Sequence, residues 1–278
     1  MAPNRIKSGN TREKPETLNE AELEAHPQFA STLANGLAIL GCFANGSFLL
    51  GNKDFAEQLG MTRPTVSRLT FTLMGLGYLR RDAATGKYAL GPAVLSLGYP
   101  LLSKLMIHQV AGSAMMALAS YANGPISVGA RDRLQVVYVE TVYANHSNET
   151  RPGIGSTRPF LRTAMGRALL YGLPQEERKW VMERLQHVYP DEWNTFGNRV
   201  QASFSQLDER GFCAVIGDWR TTLAAVAVPM LQPSLGLPLA FNLTVPSYAV
   251  DKKKLENDLG PRLADLVHDI GSMLGAAR

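Results

Sequence analysis

Residues 52–91 read NKDFAEQLGMTRPTVSRLTFTLMGLGYLRRDAATGKYALG, the order of a helix-turn-helix followed by a two-stranded wing. Asn52 is a good helix cap, and the apolar residues of KDFAEQL share one helical face until a glycine ends the helix. Thr62 can cap a second helix near Arg63, because Pro64 needs no N–H in a first turn. This order predicts a domain that binds DNA.

The second helix has an apolar face made by Val66, Leu69 and Leu73, which repeat at i, i+3 and i+7 and must pack inward. Its opposite face is polar. In a major groove, arginine suits guanine, and threonine or serine suits phosphates and the thymine methyl group. The residues expected to contact DNA are Thr62, Arg63, Thr65, Ser67, Arg68 and Thr72.

The following segments YLRRD and KYAL alternate apolar and polar residues as strands do, and the turn-prone AATG joins them. Arg80, Arg81 and Lys87 would place three positive charges beside a phosphate backbone. Between Ser31 and Gly98 six basic side chains stand against three acidic ones, a local net charge of +3. A helix-turn-helix look-alike that binds no nucleic acid is the alternative reading.

Composition fits two ordinary globular domains, since the chain has 278 residues and is 45% apolar. Cys42 and Cys213, the only cysteines, fall in a predicted helix and a predicted strand and are expected to be core residues. The five histidines lack metal-ligand spacing, so we expect no metal and no cofactor. A sensor of metal or redox state that uses these cysteines or histidines is the alternative. No signal peptide or long apolar run occurs, which favours the cytoplasm.

Composition and hydrophobic pattern divide the chain into four predicted segments. Residues 1–27 form a mobile polar tail, 28–91 the winged helix-turn-helix DNA-binding domain, 92–107 a linker helix, and 108–278 an effector-binding domain. Within the second segment, STLANGLAILGCFANG predicts a support helix that ends at Asn45 and Gly46, with one apolar stripe made by Leu33, Leu37, Leu40 and Ala44.

The linker begins at Gly91 and Pro92 as a long apolar helical run, which Gly98 and Pro100 are expected to interrupt. This run could serve as both linker and dimer seam. Its methionine and leucine cluster after residue 114 is more typical of a core than of a cofactor site.

Beyond Asn123 the sequence predicts a hairpin from PISVGA and LQVVYVETV. Helices are expected over TAMGRALLYG, PQEERKWVMERLQHVY and RVQASFSQLDERG, then strands over FCAVI, AAVAVPML and PLAFNLTVP, and a closing amphipathic helix. Because helices and strands do not alternate strictly, we expect an α+β fold with an antiparallel sheet.

From Ser31 to about Ile270 the chain resembles the IclR family of bacterial transcription regulators. The resemblance is carried by STLANGLAIL, LGMTRPTVSRLTFTLMGLGYLRRD with GKYALG, RPGIGSTRPFLRTAMGRALLYGLPQEE, and AVAVPM. It implies a GAF-like α/β effector-binding domain for a small organic acid, a homodimer or homotetramer, and double-stranded operator DNA read by paired domains. HPQFASTLANGLAIL is similar to the branch that controls catabolism of aromatic acids.

The chain departs from the family pattern at two places. Asn35 stands where members usually carry arginine, and TTLAAVAVP stands where many carry an acidic residue and Gly-x-Cys. The first departure affects a phosphate contact or salt bridge, and the second affects the standard effector contacts.

The resemblance also implies where the effector binds. It places Ala164 and Met165 at the mouth of a pocket, with Asn242 and Thr244 facing it from a strand, where i and i+2 share one face. Thr163 is expected to cap the helix, whose free N–H groups would favour an anion. The other candidates, for which a surface or core role is the alternative, are Arg158 and Arg162 as carboxylate partners and Phe160, Leu161 and Leu223 as apolar walls.

Signs of catalysis are missing from the sequence. Gly153 and Gly155 in RPGIGS lack the third glycine and the preceding strand of a dinucleotide fingerprint, so they predict a turn. No nucleophile motif such as GxSxG occurs. A DNA-binding regulator without membrane attachment is therefore predicted, and a small-acid hydrolase or lyase using the C-terminal pocket is the alternative.

Overall fold

The computed structural model describes residues 20–105, 107–144, 153–232 and 236–275. Residues 1–19, most of the expected mobile tail, lie outside this part, and the tail ends in the short helix α1 (Glu20–Ala25). The elements that follow are α2 (Ser31–Gly41), a 3-10 turn (Cys42–Asn45), α3 (Asn52–Leu59), α4 (Arg63–Gly75), β1 (Leu79–Arg81) and β2 (Tyr88–Leu90).

These elements form a winged helix-turn-helix. Strands β1 and β2 pair antiparallel, and Leu50 adds a bridge to Tyr88. A hydrophobic core holds the helices against this hairpin, with Phe55 and Val66 fully buried at its centre. The ring of Phe43 meets that of Phe55 edge-on, at 5.8 Å between centroids, which is a favoured aromatic geometry.

The local signals for the turn between α3 and α4 are confirmed. Gly60 follows α3 with φ +64°, a left-handed conformation that glycine adopts without strain. The Thr62 hydroxyl accepts a hydrogen bond from the N–H of Thr65, and Pro64 lies in the first turn of α4. The cap expected at Asn52 was wrong by one residue. Gly51 is the cap. The Asp54 carboxylate, in the first turn of α3, accepts a hydrogen bond from the N–H of Gly51 at 2.8 Å.

Only part of the apolar stripe expected on the support helix faces the core, since Leu40 packs against it and Ala44 is exposed. Leu33 and Leu37 are 63% and 55% exposed, whereas Ile39 is fully buried. The helix continues into the 3-10 turn, which brings Cys42 and Phe43 into the same core. The fully buried face therefore includes Ile39 and the residues of the 3-10 turn, and Leu33 and Leu37 remain exposed.

Two helices connect the halves of the chain, α5 (Ala93–Leu105) and α6 (Ile107–Ala122). The interruption expected at Gly98 and Pro100 was wrong, since both residues lie inside α5. A proline removes one N–H donor, and the hydrogen bonds on either side can still carry the helix through. Among the described residues no single helix is long and apolar enough to cross a membrane; Ala93–Leu105 and Gln109–Ala122 pass that test only as a pair bent by 81°.

The C-terminal half contains a six-stranded antiparallel sheet in the order β5-β4-β3-β8-β7-β6. Its strands are β3 (Ile126–Asp132), β4 (Gln135–Val142), β5 (Thr157–Pro159), β6 (Cys213–Ile216), β7 (Leu223–Gln232) and β8 (Leu237–Pro246). Its helices are α7 (Ala164–Gly172), α8 (Gln175–Val188), α9 (Pro190–Arg210), α10 (Lys252–Lys254) and, after a π-helical turn (Leu255–Leu259), α11 (Gly260–Met273). The predicted α+β fold with an antiparallel sheet is confirmed.

Helices cover both faces of this sheet, and β8 shows how one strand serves two cores. Its side chains alternate because successive residues of a strand point to opposite faces. Leu239, Phe241 and Leu243 join the core that contains α6 and α11 residues, whereas Ala240 joins the core built on α7, α8 and α9. Asn242 shares the face of Ala240.

The sequence missed two features of this half. Helix α9 starts at Pro190, nine residues before the predicted start at Arg199, and it continues through Gly197, which lies against the ring of Trp193. Strand β5 has only three residues and contains a proline. The turn expected around Gly155 is present, with φ +85°, whereas Arg151 and Pro152 of RPGIGS lie outside the described residues.

Candidate functional site

The outer face of α4 carries the residues expected to contact DNA. Arg63, Thr65, Ser67, Arg68 and Thr72 are all exposed, as is the cap Thr62, whereas the inner face buries Val66 and Leu73. The Thr72 hydroxyl donates to the carbonyl of Arg68 at 3.1 Å, and those of Thr62 and Thr65 lie 2.9 Å apart. The structure thus groups the five exposed residues of α4 and its cap Thr62 along one helix.

The wing presents its basic residues less uniformly. Arg80, Arg81 and Lys87 are exposed, but the Lys87 ammonium lies 3.7 Å from the Asp54 carboxylate, and the Arg81 guanidinium donates to the carbonyl of Gly86. At the turn, the Asp82 carboxylate accepts hydrogen bonds from the N–H and the hydroxyl of Thr85, at 2.8 and 2.7 Å. These bonds lower the pKa of Asp82, so its carboxylate stays ionised at neutral pH.

A second candidate site lies on the sheet face beneath α7, where four polar side chains form a cluster. The register pairs Ser127 on β3 with Asn242 on β8 and with Thr141 on β4. The Thr141 hydroxyl donates to the hydroxyl of Ser127 at 3.1 Å, and the Asn242 amide donates to the hydroxyl of Thr244 at 2.9 Å. Asn242 is only 5% exposed, and its Oδ1 has no hydrogen-bond partner among the described residues. A buried polar atom without a partner costs free energy that a ligand can recover.

The start of α7 lies over this face. The Thr163 hydroxyl caps the helix by accepting the N–H of Gly166 at 3.0 Å, as predicted. Ala164 and Met165 are 2% and 1% exposed, so they lie inside the core and not at an opening. The Met165 sulfur packs on Gly129, where any side chain would collide with it. Leu223, expected as a wall, is half-buried at the start of β7.

Arg158 on β5 lies between two aromatic rings. Its guanidinium carbon is 5.3 Å from the ring centre of Tyr138 and 4.7 Å from that of Trp219. One of its Nη atoms donates to the carbonyl of Thr157, but its buried Nε has no partner among the described residues. Burial also raises the pKa of Tyr138, which keeps this phenol neutral. The stack ties β5 to the loop of residues 217–222.

Arg162 takes a different direction from the one that the effector prediction requires. Its guanidinium lies 3.7 Å from the Glu192 carboxylate and over the ring of Phe196, both on α9, and donates to the carbonyl of Asp218. A role in binding a carboxylate would require Arg162 to leave Glu192, and it remains a prediction.

A cleft of about 270 Å³ lies between β5, the β3–β4 turn and the junction of α8 and α9. It contains three of the predicted effector residues, Arg158, Phe160 and Leu161, but neither Asn242 nor Thr244. Its lining residues are Leu134, Gln135, Thr157, Arg158, Pro159, Phe160, Leu161, Leu185, Tyr189 and Glu192. The structure therefore separates the predicted residues between this cleft and the polar cluster on the sheet.

The loop of residues 217–222 is fixed by a buried ion pair. Arg167, in α7 and only 3% exposed, donates to the Asp218 carboxylate at 2.5 Å, and Arg199 on α9 binds the other carboxylate oxygen. Arg167 also donates to the carbonyl of Leu161 and to the hydroxyl of Ser203. Burial lowers the pKa of Arg167, and the bond to Asp218 opposes that shift. One carboxylate thus joins the loop to two helices.

The cysteines do not support thiol chemistry. Cys213 is fully buried, and burial raises its pKa to about 12; Cys42 is also buried and has a raised pKa. A reactive thiol needs exposure and a lowered pKa. Within the described residues no group of three or more His, Cys, Asp or Glu side chains is arranged to hold a metal ion.

The sequence alone did not predict a role for several residues of these sites. They are Ser127, Thr141 and Trp219 in the C-terminal half and Phe71 on α4. Ser127 and Thr141 are polar residues within otherwise apolar strands. Such a residue can be assigned to a shared polar cluster only after the register of the sheet is known.

Comparison with known proteins extends over both halves of the chain. Residues 32–83 match the family model for the IclR helix-turn-helix domain, and residues 100–272 match that for the C-terminal domain of the bacterial transcriptional regulator IclR. The HTH-type transcriptional regulator TsaQ1/TsaQ2 of Comamonas testosteroni is 34% identical over 249 residues, 89% of each chain.

Two solved structures are similar. An IclR family transcriptional regulator from Brucella abortus is 39% identical, with a TM-score of 0.80 over 93% of this chain and 97% of that one. An IclR homolog from Microbacterium hydrocarbonoxydans, complexed with 4-hydroxybenzoate, is 17% identical, with a TM-score of 0.70 over 88% of this chain and 99% of that one. At this identity the second likeness concerns the fold alone.

Proposed function

Because this chain belongs to the IclR family of DNA-binding transcriptional regulators, we propose that it controls transcription in response to a small carboxylic acid bound on the sheet face beneath α7. In this proposal the acid carries an aromatic ring, and its binding shifts the population of arrangements that fit the operator. The support for an aromatic acid is the bound 4-hydroxybenzoate of the homolog with the same fold.

The observation that carries the effector site is the unpartnered Oδ1 of Asn242. Buried side-chain polar atoms in native proteins nearly always have a partner, and one polar group of a bound ligand would supply it here. Ser127, Thr141 and Thr244 provide hydroxyls beside it, and the N–H groups at the start of α7 favour a negative charge. The site is therefore suited to a small, polar and anionic molecule.

Replacing Asn242 with leucine is expected to leave the protein folded and to weaken binding of the effector. Leucine is close enough to asparagine in size to fit the same position, and losing one hydrogen bond to a ligand lowers affinity roughly tenfold. The measurement is the rise of the unfolding midpoint with aromatic and aliphatic carboxylic acids, 4-hydroxybenzoate included, since a ligand of the folded state raises it.

The control is Asn257→Leu, at an exposed position in the π-helical turn. It should keep the full midpoint rise. If an acid raises the midpoint equally in the Asn242→Leu protein, the effector site lies elsewhere, and the cleft at Arg158 and Phe160 becomes the next place to test. If no acid raises the midpoint of the unmodified protein, the proposal of an acid effector is wrong.

We further propose that α5 pairs with α5 of a second copy. Its exposed apolar side chains are Leu95, Leu97, Tyr99 and Leu101, between 49% and 70% exposed. Leu95 and Tyr99 are four residues apart and share one face of the helix, whereas Leu97 and Leu101 share another. Exposed apolar side chains on one face mark interaction sites, and a two-fold pair would place two copies of α4 for two operator half-sites.

Changing both Leu95 and Tyr99 to glutamate is expected to halve the molar mass in solution if the protein is a dimer. Four carboxylates would otherwise be buried without partners, which costs more than the contact gains. Light scattering after gel filtration measures the mass, and Lys253→Glu at an exposed position of α10 is the charge control. An unchanged mass would place the subunit contact on another surface.

The enzyme alternative and the thiol version of the sensor alternative lose their support. Both family models and the relatives compared are transcriptional regulators, so the hydrolase or lyase reading is set aside. The redox reading required an accessible thiol, and both cysteines are buried.

A further inference from the structure

One large apolar side chain on α4 has no role in the fold or in the contacts expected with DNA. Phe71 is 74% exposed, although it lies in the middle of the helix. The core beneath the helix is already filled by Val66, Leu73 and the buried Thr70, whose hydroxyl donates to the carbonyl of Val66. Packing therefore does not account for a phenylalanine at this position.

Helical geometry places Phe71 on the surface that would enter a major groove. At about 100° per residue, Arg68 and Phe71 lie three positions apart and on the side opposite Val66 and Leu73. Thr72 follows on the same outer half of the helix and is also exposed. Phe71 is thus one turn further along the row that begins with the first turn of α4.

The residues around Phe71 indicate which partner contacts it. Phe71 lies next to the exposed Arg68 and Thr72, residue types that contact DNA, in a region with a net charge of +3. In the floor of a major groove the apolar group is the C5 methyl of thymine, which apolar side chains contact. The exposed apolar residues of the proposed dimer contact lie on another helix, α5.

We propose that Phe71 contacts a thymine methyl group in the major groove and selects an A·T pair at one position of each operator half-site. The contact would select sequence without a hydrogen bond, because cytosine lacks the methyl group at that place.

The experiment starts by selecting operator duplexes from a random pool with the full-length protein. Each thymine of the selected site is then replaced by deoxyuridine, which removes only the methyl group. For the unmodified protein, deoxyuridine at one thymine position per half-site is expected to lower affinity about fourfold for each buried methyl. For Phe71→Ala the same replacement is expected to have no effect, because the side chain that contacts the methyl is gone.

Two further variants test whether the deoxyuridine effect depends on the apolar side chain at position 71. Phe71→Leu keeps an apolar group and is expected to restore part of the thymine preference that Phe71→Ala loses. Phe48→Ala removes an even more exposed phenylalanine, at 89%, which the bridge of Leu50 with Tyr88 places toward the base of the wing and not toward its turn. It should leave the deoxyuridine effect unchanged.

Three results would overturn the proposal. The first is an operator whose affinity does not change when any thymine is replaced by deoxyuridine. The second is a deoxyuridine effect of the same size in Phe71→Ala and in the unmodified protein. The third is a lower molar mass for Phe71→Ala in solution, which would make Phe71 a contact with a second copy. Loss of operator binding by Arg68→Ala in the same assay would show that α4 is the recognition helix even if the role of Phe71 is wrong.

Discussion

Replacing Arg167 with methionine is expected to lower the free energy of unfolding of the C-terminal half by about 3–5 kcal/mol, because it leaves a buried carboxylate short of a partner. Asp218 is 8% exposed as a side chain and is held by Arg167 and Arg199. Arg167 also binds the carbonyl of Leu161, so its loss frees the segment that enters α7. This is the largest stability effect that we expect from one substitution.

Urea unfolding followed by tryptophan fluorescence measures this effect selectively. The three tryptophans, Trp180, Trp193 and Trp219, all lie in the C-terminal half, so the signal does not include unfolding of the winged helix. Lys179→Met, at an exposed position on α8, is the matched control and should change little.

A double variant separates the ion pair from simple packing. In Arg167→Met with Asp218→Leu both buried charges are gone, and an apolar pair of similar volume is often as stable as the ion pair. Most of the lost stability should therefore return. If the double variant is as unstable as Arg167→Met, the effect comes from the lost bonds to Leu161 and Ser203 and not from the orphaned carboxylate.

Replacing Arg68 with alanine is expected to lower affinity for the selected operator by at least tenfold, since a bidentate contact from arginine to a base contributes about 1–3 kcal/mol. Arg68 is exposed at the centre of the outer face of α4, and a dimer would lose the contact twice. Affinity for unrelated duplex should fall much less, because base contacts carry the discrimination.

The wing offers the opposite pattern in the same assay. Arg80→Ala is expected to weaken operator and unrelated DNA alike and to reduce the slope of affinity against salt concentration by about one for each lost phosphate contact. Arg133→Ala, at a 90% exposed position of the β3–β4 turn, controls for net charge. If affinity is unchanged in both Arg63→Ala and Arg68→Ala, the assignment of α4 as the recognition helix is wrong.

The parts of the fold that follow from local chemistry could be predicted from the sequence. Thr62, Pro64 and Gly60 act through bonds within four residues, so their roles are visible without the rest of the chain. The hairpin of β3 and β4 and the cap at Thr163 belong to the same class.

The parts that depend on distant residues could not be predicted. Leu33 and Leu37 form a regular stripe, but the core formed on the side of Ile39, which only the packing against α3 and α4 decides. Pro100 stays inside a helix although its type favours a break. In the candidate effector site, Arg162 turns to Glu192, a partner 30 residues further along the chain.

The alternation along β8 allows the two faces of the sheet to change independently during evolution. Even-numbered positions from Ala240 to Thr244 face α7, and odd-numbered positions from Leu239 to Val245 face the core that contains α6. If the effector binds on the α7 face as proposed, a lineage can acquire a new chemical signal by substitutions at even positions while the odd ones keep the core that contains α6. Duplicated genes with this sheet could diverge in what they sense before they diverge in how they respond.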